Sequence, residues 1–532
     1  VGVARAQHGR RTIANLTDRS IGDLVVGVAG ATIAGDAGAI ISSIEFDSRL
    51  VEPGGLFVAL RGGYVDGHAF LDQARERGAV SAMVERGHAG LVAGAWPAVV
   101  EVDDTRASLA PIAAEFYHHP TDCLTVIGVT GTDGKTTTSH LIEAMLRRNG
   151  RRTGLIGTVE VRVAGEVELH ETRQTTPESL VVQRLLAAMR DRGVDTVVLE
   201  ATSHGLAMHR LDGCAFDIGV VTNITHEHLD FHGSVEAYRA AKATLLERVA
   251  AGRTHGRRGT VVLNADDAGA QIVAPSAGSS TRLWYSLDAD ATAEVRALDI
   301  ESRPDGTRFL LRMPSGDATV DLALPGRYNV ANALAAAGVG HALGLSPAEI
   351  ADGLMALESV PGRMQTVDEG QPFTVVVDYA HTPDAIRSVL RELRPPARGR
   401  LLVLFGSAGE RDIEKRAIQG RVAIEQSDYA VFSSEDPRYE DPDAIIAAIA
   451  AGAEQAGGRA GVDFDCIEDR HAAIAAILER AEPGDVVVLA GKGHEKSMIY
   501  GAEKRPWDEA ATAADILRRM GYRRVGGDDS SA

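Results

Sequence analysis

Short apolar runs rich in Val, Ile and Leu recur along this chain, each breaking into Gly, Ser, Thr or Asp before an Ala/Leu-rich helical stretch. They include "TVVLEATS" (196–203), "FDIGVVTNIT" (216–225), "TVVLNADD" (260–267), "FTVVVDYAHTP" (373–383), "LLVLFGSAG" (401–409), "YAVFSSEDP" (429–437) and "DVVVLAGKG" (485–493). They lack polar alternation, which suits parallel strands covered on both faces by crossover helices. Such sheets bind ligands beyond the carboxyl ends of their strands, where the polar tails lie. The 532 residues exceed what one core fills, and three blocks emerge: 1–124, 125–359 and 360–532. The expected fold is α/β in three domains. A smaller N-terminal α/β domain precedes a central P-loop-type, mostly parallel sheet with helices on both faces and a β-rich insert around "RFLLRMPSGDATVDLALPG". A C-terminal Rossmann-like domain follows.

Bulk charge narrows the function. A formal net charge of -19 argues against a nucleic-acid or anionic-membrane surface, which needs a basic face, while allowing a local basic pocket for a small phosphorylated substrate. The three cysteines, Cys123, Cys214 and Cys466, are too far apart for a zinc ribbon or a disulfide framework. The first twenty residues are basic but have no apolar core, so no signal peptide is expected. No apolar run reaches membrane-spanning length, and a cytoplasmic protein is the expectation.

The stretch "TVIGVTGTDGKTTTSH" (125–140) carries the clearest chemistry. The strict Walker pattern fails, because Val129 stands where its first glycine belongs. What remains is Gly128, Gly131 and Gly134 at three-residue intervals, with Thr132 and Asp133 between and Lys135, Thr136 and Thr137 after. Glycines let backbone N–H groups close around phosphate oxygens, and the following helix adds its positive end. Lys135 is placed to hold the β/γ-phosphates and the Thr136 hydroxyl to reach Mg²⁺.

Downstream, Tyr238, Lys242, Leu245 and Val249 fall on one face of a helix expected over 235–249. An ammonium on that apolar face is costly and its pKa falls, and a neutral amine can take up CO₂ as a carbamate. On the residues alone, a snorkelling lysine is the commoner arrangement. Glu200 and His228 both follow strands and face the same region. His226, His228 and His232 suggest zinc, but carboxylates beside a phosphate loop favour Mg²⁺.

Taken together these residues resemble the Mur ligase family. The resemblance rests on the phosphate loop, the Glu200–His228–Lys242 series, "GRYNVANALAAA" (326–337) and "DYAHTPD" (378–384). "FDSRLVEPGGLFVALRG", "EATSHGL", "LDFHG", "GERD", "EDPRYEDP" and "GKGHE" point to the branch that adds a diamino acid. It implies that ATP phosphorylates a substrate carboxylate and that an amine attacks the acyl phosphate to form an amide. It also implies Mg²⁺ held with the help of Thr136, Glu200, His228 and a carbamylated Lys242, which reverses the isolated reading of that lysine. Asn329, Asn332, Arg363, Asp378 and His381 would surround ATP.

By the same resemblance the acceptor is UDP-MurNAc-L-Ala-D-Glu, bound by Phe46, Ser48, Gly63, Tyr64, Val65, Thr175, Thr176, Thr202 and Arg210. Met208 stands where some relatives carry Gln. The incoming amino acid would meet Arg411, Glu435, Asp436, Pro437, Arg438, Gly491 and Glu495. Arg438 favours meso-diaminopimelate, whose side-chain carboxylate it would clamp. Asp436 replaces the usual Asn and could instead suit the plain ammonium end of L-lysine or L-ornithine. A monomer is expected. The competing readings are another ligase of the superfamily, such as a folylpolyglutamate synthase, and an ATP-dependent switch. "DSR…PGGLFVALRG" argues against the first, and the metal series and "EDPR" against the second.

Overall fold

The computed structural model describes residues 19–62, 65–88, 96–168, 174–225, 227–252, 258–303, 306–395 and 399–523. All seven apolar runs quoted from the sequence contain strands, and the apolar residues within those strands are buried. The N-terminal sheet has the order Thr32–Gly35, Ala98–Val102, Ser81–Glu85, Gly55–Val58, Ser43–Glu45, parallel except for its first pair. In the large central sheet seven neighbouring strands run parallel: Thr153–Ile156, Thr196–Glu200, Thr125–Thr130, Ile218–Val221, Thr260–Asn264, Thr281–Ser286 and Val295–Arg303. Two short antiparallel strands flank one side, and Gly306–Met313 and Gly316–Leu322 extend the other, where the β-rich insert was expected. A third sheet runs Gln365–Thr366, Thr374–Asp378, Val486–Ala490, Leu401–Phe405, Tyr429–Phe432, Phe464–Cys466, parallel after its antiparallel first pair.

Three sheets mark three domains, but the chain packs as two compact units. The first is Val1–Leu298, Leu310–Val320 and Val330–Ala356; the second is Asp299–Phe309, Asp321–Asn329 and Leu357–Ala532. The N-terminal and central domains share one unit because Leu180 and Ala187, on the central helix Ser179–Asp191, join the core of the N-terminal sheet beside Leu109, Ile112 and Ala113. Among the described residues no helix is long and apolar enough to cross a membrane.

Several strand tails double as helix caps. Thr202, Thr382, Asp469 and Asp508 each accept a hydrogen bond from a first-turn N–H. The helix Lys135–Arg148 differs. Gly134 occupies its cap position in the left-handed region, φ 80°, with no side-chain cap, which leaves first-turn N–H groups without a capping side chain.

Candidate active site

The loop between Thr125–Thr130 and Lys135–Arg148 is compact enough to demand its glycines. A Cβ on Gly131 would lie 1.8 Å from Thr222 Oγ1, and one on Gly134 would lie 2.3 Å from Asn332 Oδ1. Asn223 shapes the loop from the neighbouring strand: its carbonyl accepts Thr132 N–H at 2.8 Å and its Oδ1 accepts Asp133 N–H at 2.9 Å. Lys135 Nζ folds back onto the carbonyls of Gly131 (2.9 Å) and Thr132 (2.8 Å). Thr137 is buried in the first turn. Gly128 lies inside the strand, where a Cβ would meet Leu245 and Phe216 within 3 Å; close packing accounts for that glycine without a ligand.

Glu200 ends its strand as a fully buried side chain. Its Oε2 accepts the hydroxyls of Thr136 (3.1 Å) and Thr158 (2.7 Å), and Oε1 accepts Thr158 N–H at 3.0 Å. Among the described residues no cation pairs with it. Buried charges are ordinarily paired or bound to metal, so a carboxylate held only by neutral donors at a phosphate-loop threonine fits Mg²⁺. Thr158 and Gly157, whose Cβ would strike Glu200 Oε1 at 2.5 Å, were not singled out in the sequence. The signal was there: "LIGT" ends a strand in the same Gly/Thr manner as its neighbours.

Lys242 lies on the helix Val235–Ala251 with Tyr238, Leu245 and Val249 on its buried face, as the spacing predicts. The side chain is 2% exposed; Nζ donates to Gly131 O at 2.6 Å and sits 4.7 Å from the Tyr238 ring centroid. Burial, and secondarily the charge of Lys135, push its pKa well below the ordinary lysine range. The Tyr238 hydroxyl reaches Thr132 Oγ1 at 3.0 Å, so helix and loop are tied twice. His228 does not end the strand Ile218–Val221 but opens the short helix Leu229–His232 at φ 55°, its ring edge-on to His204. His226 lies outside the described residues. Three metal-ligand atoms cluster within 4.8 Å at Asp66, His68 and His88. There His68 Nδ1 meets Asp66 Oδ1 at 2.6 Å while Nε2 accepts Glu85 N–H at 3.0 Å, leaving that ring no free lone pair.

A chain of hydroxyls extends from Glu200. The Thr158 and Thr175 hydroxyls lie 3.0 Å apart, and Thr176 donates to the Glu200 carbonyl (2.7 Å) and lies 3.0 Å from Thr202 Oγ1. Arg210 donates to Thr176 O at 3.0 Å and pairs with Glu178 at 3.0 Å; Glu178 also takes Arg106 at 2.6 Å. Met208 contributes its sulfur, 3.6 Å from Arg210 Nη2. In the N-terminal domain Ser48 is buried and donates to Gln73 Oε1 at 2.6 Å, with Phe46 packed on the core and Val65 exposed. Gly63 and Tyr64 lie outside the described residues.

Asn332, in the first unit, accepts from Thr138 Oγ1 at 3.3 Å beside Gly134, which brings its amide to the phosphate loop. The second unit carries the remaining nucleotide candidates. Asn329 donates to Pro325 O at 2.7 Å. Asp378 ends its strand accepting the N–H groups of Met364 and Ala380, both at 2.8 Å, and burial pushes its carboxyl pKa up. The Arg363 guanidinium stacks 4.8 Å over the Tyr379 ring, with its Nε buried and without a hydrogen-bond partner. His381 Nδ1 lies 3.0 Å from Tyr379 O.

The amino-acid candidates gather on the tails of Tyr429–Phe432 and Val486–Ala490. Asp436 is buried and pairs with Lys492 Nζ at 2.9 Å, and its Oδ1 also accepts Ile499 N–H at 3.0 Å. Lys492 further donates to Glu495 Oε2 (2.5 Å) and Ser497 O (2.9 Å). Asp436 is therefore engaged by Lys492, which it shares with Glu495, and by the Ile499 N–H. Glu435 is buried with its Oε2 unpartnered, and a Cβ on Gly491 would strike that oxygen at 2.7 Å. Arg438 has a left-handed backbone, φ 55°, fixed by Arg438 N–H donating to Ile499 O and Gly501 N–H donating to Arg438 O. Pro437 O packs against Gly409. The Arg438 Nε is buried without a hydrogen-bond partner, and its acidic neighbours are engaged: Glu440 pairs with Arg416 and Asp441 caps a helix. Arg411 is exposed.

Three family models match in succession: "Mur ligase family, catalytic domain" over 40–117, "Mur ligase middle domain" over 129–340, and "Mur ligase, glutamate ligase domain" over 362–493. A UDP-N-acetylmuramyl-tripeptide synthetase of Roseiflexus sp. (strain RS-1) is 47% identical, covering 91% of this chain and 95% of that protein. A UDP-N-acetylmuramoyl-L-alanyl-D-glutamate–2,6-diaminopimelate ligase of Geobacillus thermodenitrificans is 42% identical over 90% and 95%. A solved structure of a 2,6-diaminopimelate ligase of that name superposes with a TM-score of 0.65 at 29% identity, covering 95% of this chain and all of the other. A MurF ligase of Thermotoga maritima in complex with ADP shares the fold, with a TM-score of 0.60 at 21% identity over 90% of this chain and 96% of that chain.

Proposed function

The chain belongs to the Mur ligase family, ligases that form amide bonds with ATP, and on that premise we propose that it joins meso-diaminopimelate to the D-Glu carboxylate of UDP-MurNAc-L-Ala-D-Glu. The observation that carries the choice of amino acid is Arg438, a guanidinium with no acidic partner among the described residues, beside an Asp436 already paired with Lys492. A planar guanidinium suits a second carboxylate, which diaminopimelate has and lysine and ornithine lack. The buried Glu435 carboxylate supports recognition of an ammonium in the same loop.

A carboxylate resists amines because oxide is a poor leaving group. Transfer of the ATP γ-phosphoryl group to the D-Glu carboxylate gives an acyl phosphate and ADP. The free amine then attacks the acyl carbon, phosphate departs, and the amine's proton is released. Gly131, Gly134 and the first turn from Lys135 cradle the phosphates, and Lys135 neutralises charge as it leaves the loop carbonyls for the γ-phosphate. Thr136, Glu200, His228 and Lys242 are the residues that would hold Mg²⁺, which supplies the charge neutralisation needed to bring a carboxylate to a triphosphate. The depressed basicity of Lys242 supports its carbamylation by CO₂, which converts a buried cation into an anionic ligand. Thr175, Thr176, Thr202 and Arg210 are assigned to the UDP-sugar peptide, and Asn329, Arg363, Asp378 and His381 to the nucleotide.

The test is phosphate release with ATP, Mg²⁺ and UDP-MurNAc-L-Ala-D-Glu while meso-diaminopimelate, L-lysine or L-ornithine is added in turn. Release that depends on diaminopimelate is expected. Release independent of any amino acid would overturn the reading.

A further inference from the structure

Within the second unit lies a buried ion pair that none of the assigned roles uses. Arg470, 2% exposed, opens the helix Arg470–Arg480; Glu509, fully buried, opens the helix Glu509–Arg519. Arg470 Nη2 and Nε meet Glu509 Oε1 at 2.6 and 3.1 Å, and Nε also meets Oε2 at 3.0 Å. Taking two charges out of water costs several kcal/mol per ion, so such a pair is weak evidence for stability and calls for another reason to exist.

The rest of the fork supplies that reason. Arg470 Nη1 donates to Ser434 O at 3.0 Å and Nη2 to Ala490 O at 2.7 Å. Ser434 immediately precedes the Glu435–Arg438 loop, and Ala490 immediately precedes Gly491 and the Lys492–Glu495 turn. One guanidinium thus grips the roots of both loops that carry the amino-acid residues. Glu468, two residues earlier, reinforces the first root: Ser434 N–H donates to its carbonyl (3.2 Å), and the hydroxyls of Ser434 (3.0 Å) and Tyr500 (3.4 Å) donate to its Oε1. Tyr500 is the bridge partner of Arg438. On the far side Trp507 Nε1 donates to Glu509 Oε2 at 2.6 Å, fixing the carboxylate that fixes the arginine.

We propose that Arg470, held by Glu509 and Trp507, is the positioning residue that sets the spacing between the 435–438 and 491–495 loops and so the affinity for the incoming amino acid. Arg470 does not itself touch substrate. Its planar fork is the only side-chain geometry that spans a carboxylate and two carbonyls at once; a lysine at the same place carries the charge but not the reach. The inference rests on the proposed amino-acid site.

The test compares wild type, Arg470→Lys and the double variant Arg470→Met/Glu509→Leu, reading KM for meso-diaminopimelate, KM for ATP and thermal midpoint. The double variant removes both charges together, so neither is left buried and unpaired, and its thermal midpoint reads whether the fold is kept. The expected result is a KM for diaminopimelate raised about tenfold or more in both variants, because small misplacements of binding groups carry penalties of that order. KM for ATP stays within about twofold. Rescue of the amino-acid KM by Arg470→Lys, or a folded double variant with a wild-type KM, would overturn the proposal. Wild-type enzyme that ignores diaminopimelate would instead overturn the function on which it rests.

Discussion

Lys492 Nζ lies 2.9 Å from Asp436 Oδ1, and both side chains are buried. The acid that stands in place of an expected Asn accepts from Lys492 and the Ile499 N–H. Leaving a buried charge without its partner costs on the order of 3–5 kcal/mol; Lys492 keeps Glu495, so Asp436→Ala is expected to lower the thermal midpoint by less than that full cost. Asp436→Asn keeps an acceptor for both donors and is expected to retain the diaminopimelate preference. Both outcomes are read by melting curves and by product formation with each amino acid.

Arg438→Ala is expected to raise KM for meso-diaminopimelate while leaving KM for ATP unchanged. Losing a hydrogen bond to a charged group costs about 1.5–3 kcal/mol, or roughly 10- to 150-fold in affinity. Activity with L-lysine, which has no second carboxylate, changes little or rises from its low base. An equal loss with both amino acids would contradict the clamp.

Glu435 gives a pH signature. Burial raises its carboxyl pKa above the ordinary value, with Lys492, Lys415 and Arg470 opposing the rise. A raised carboxyl pKa means that the neutral form contributes stability at low pH, and that this contribution is lost as pH rises through the folded-state value. Glu435→Gln is expected to melt with wild type near about pH 4 and above it at about pH 8. The same variant binds diaminopimelate more weakly, since it lacks the anion for the ammonium. A melting gap that shrank with rising pH would contradict this sign.

Lys242→Ala is expected to abolish ligation, and short carboxylic acids are expected to restore part of it by supplying the anion that a carbamate would carry. Phosphate release with and without added acetate reads this directly. Activity in Lys242→Ala without any added acid would remove the carbamate role.

What was legible in the sequence was local. Parallel strands announced themselves as apolar runs, the phosphate loop by its spaced glycines, and the buried face of Val235–Ala251 by the spacing of Tyr238, Lys242, Leu245 and Val249. Long-range partners were not. Asp436 and Lys492 are 56 residues apart and meet only because their strands share a sheet. Arg470 and Glu509, 39 apart, are joined by the ends of two helices. Gly128 shows the converse: it falls in the glycine pattern of the loop, yet its place inside the strand is set by Phe216 and Leu245. Spacing reveals periodicity, whereas the identity of a charged residue's partner depends on topology.

The most direct measurement is the mass of the UDP-linked product formed from UDP-MurNAc-L-Ala-D-Glu, ATP and Mg²⁺ in an equimolar mixture of meso-diaminopimelate, L-lysine and L-ornithine. A product carrying diaminopimelate in wild type, with that selectivity lost in Arg438→Ala, is the expected result. A wild-type product carrying lysine or ornithine would contradict the assignment of Arg438 as the group that chooses the amino acid.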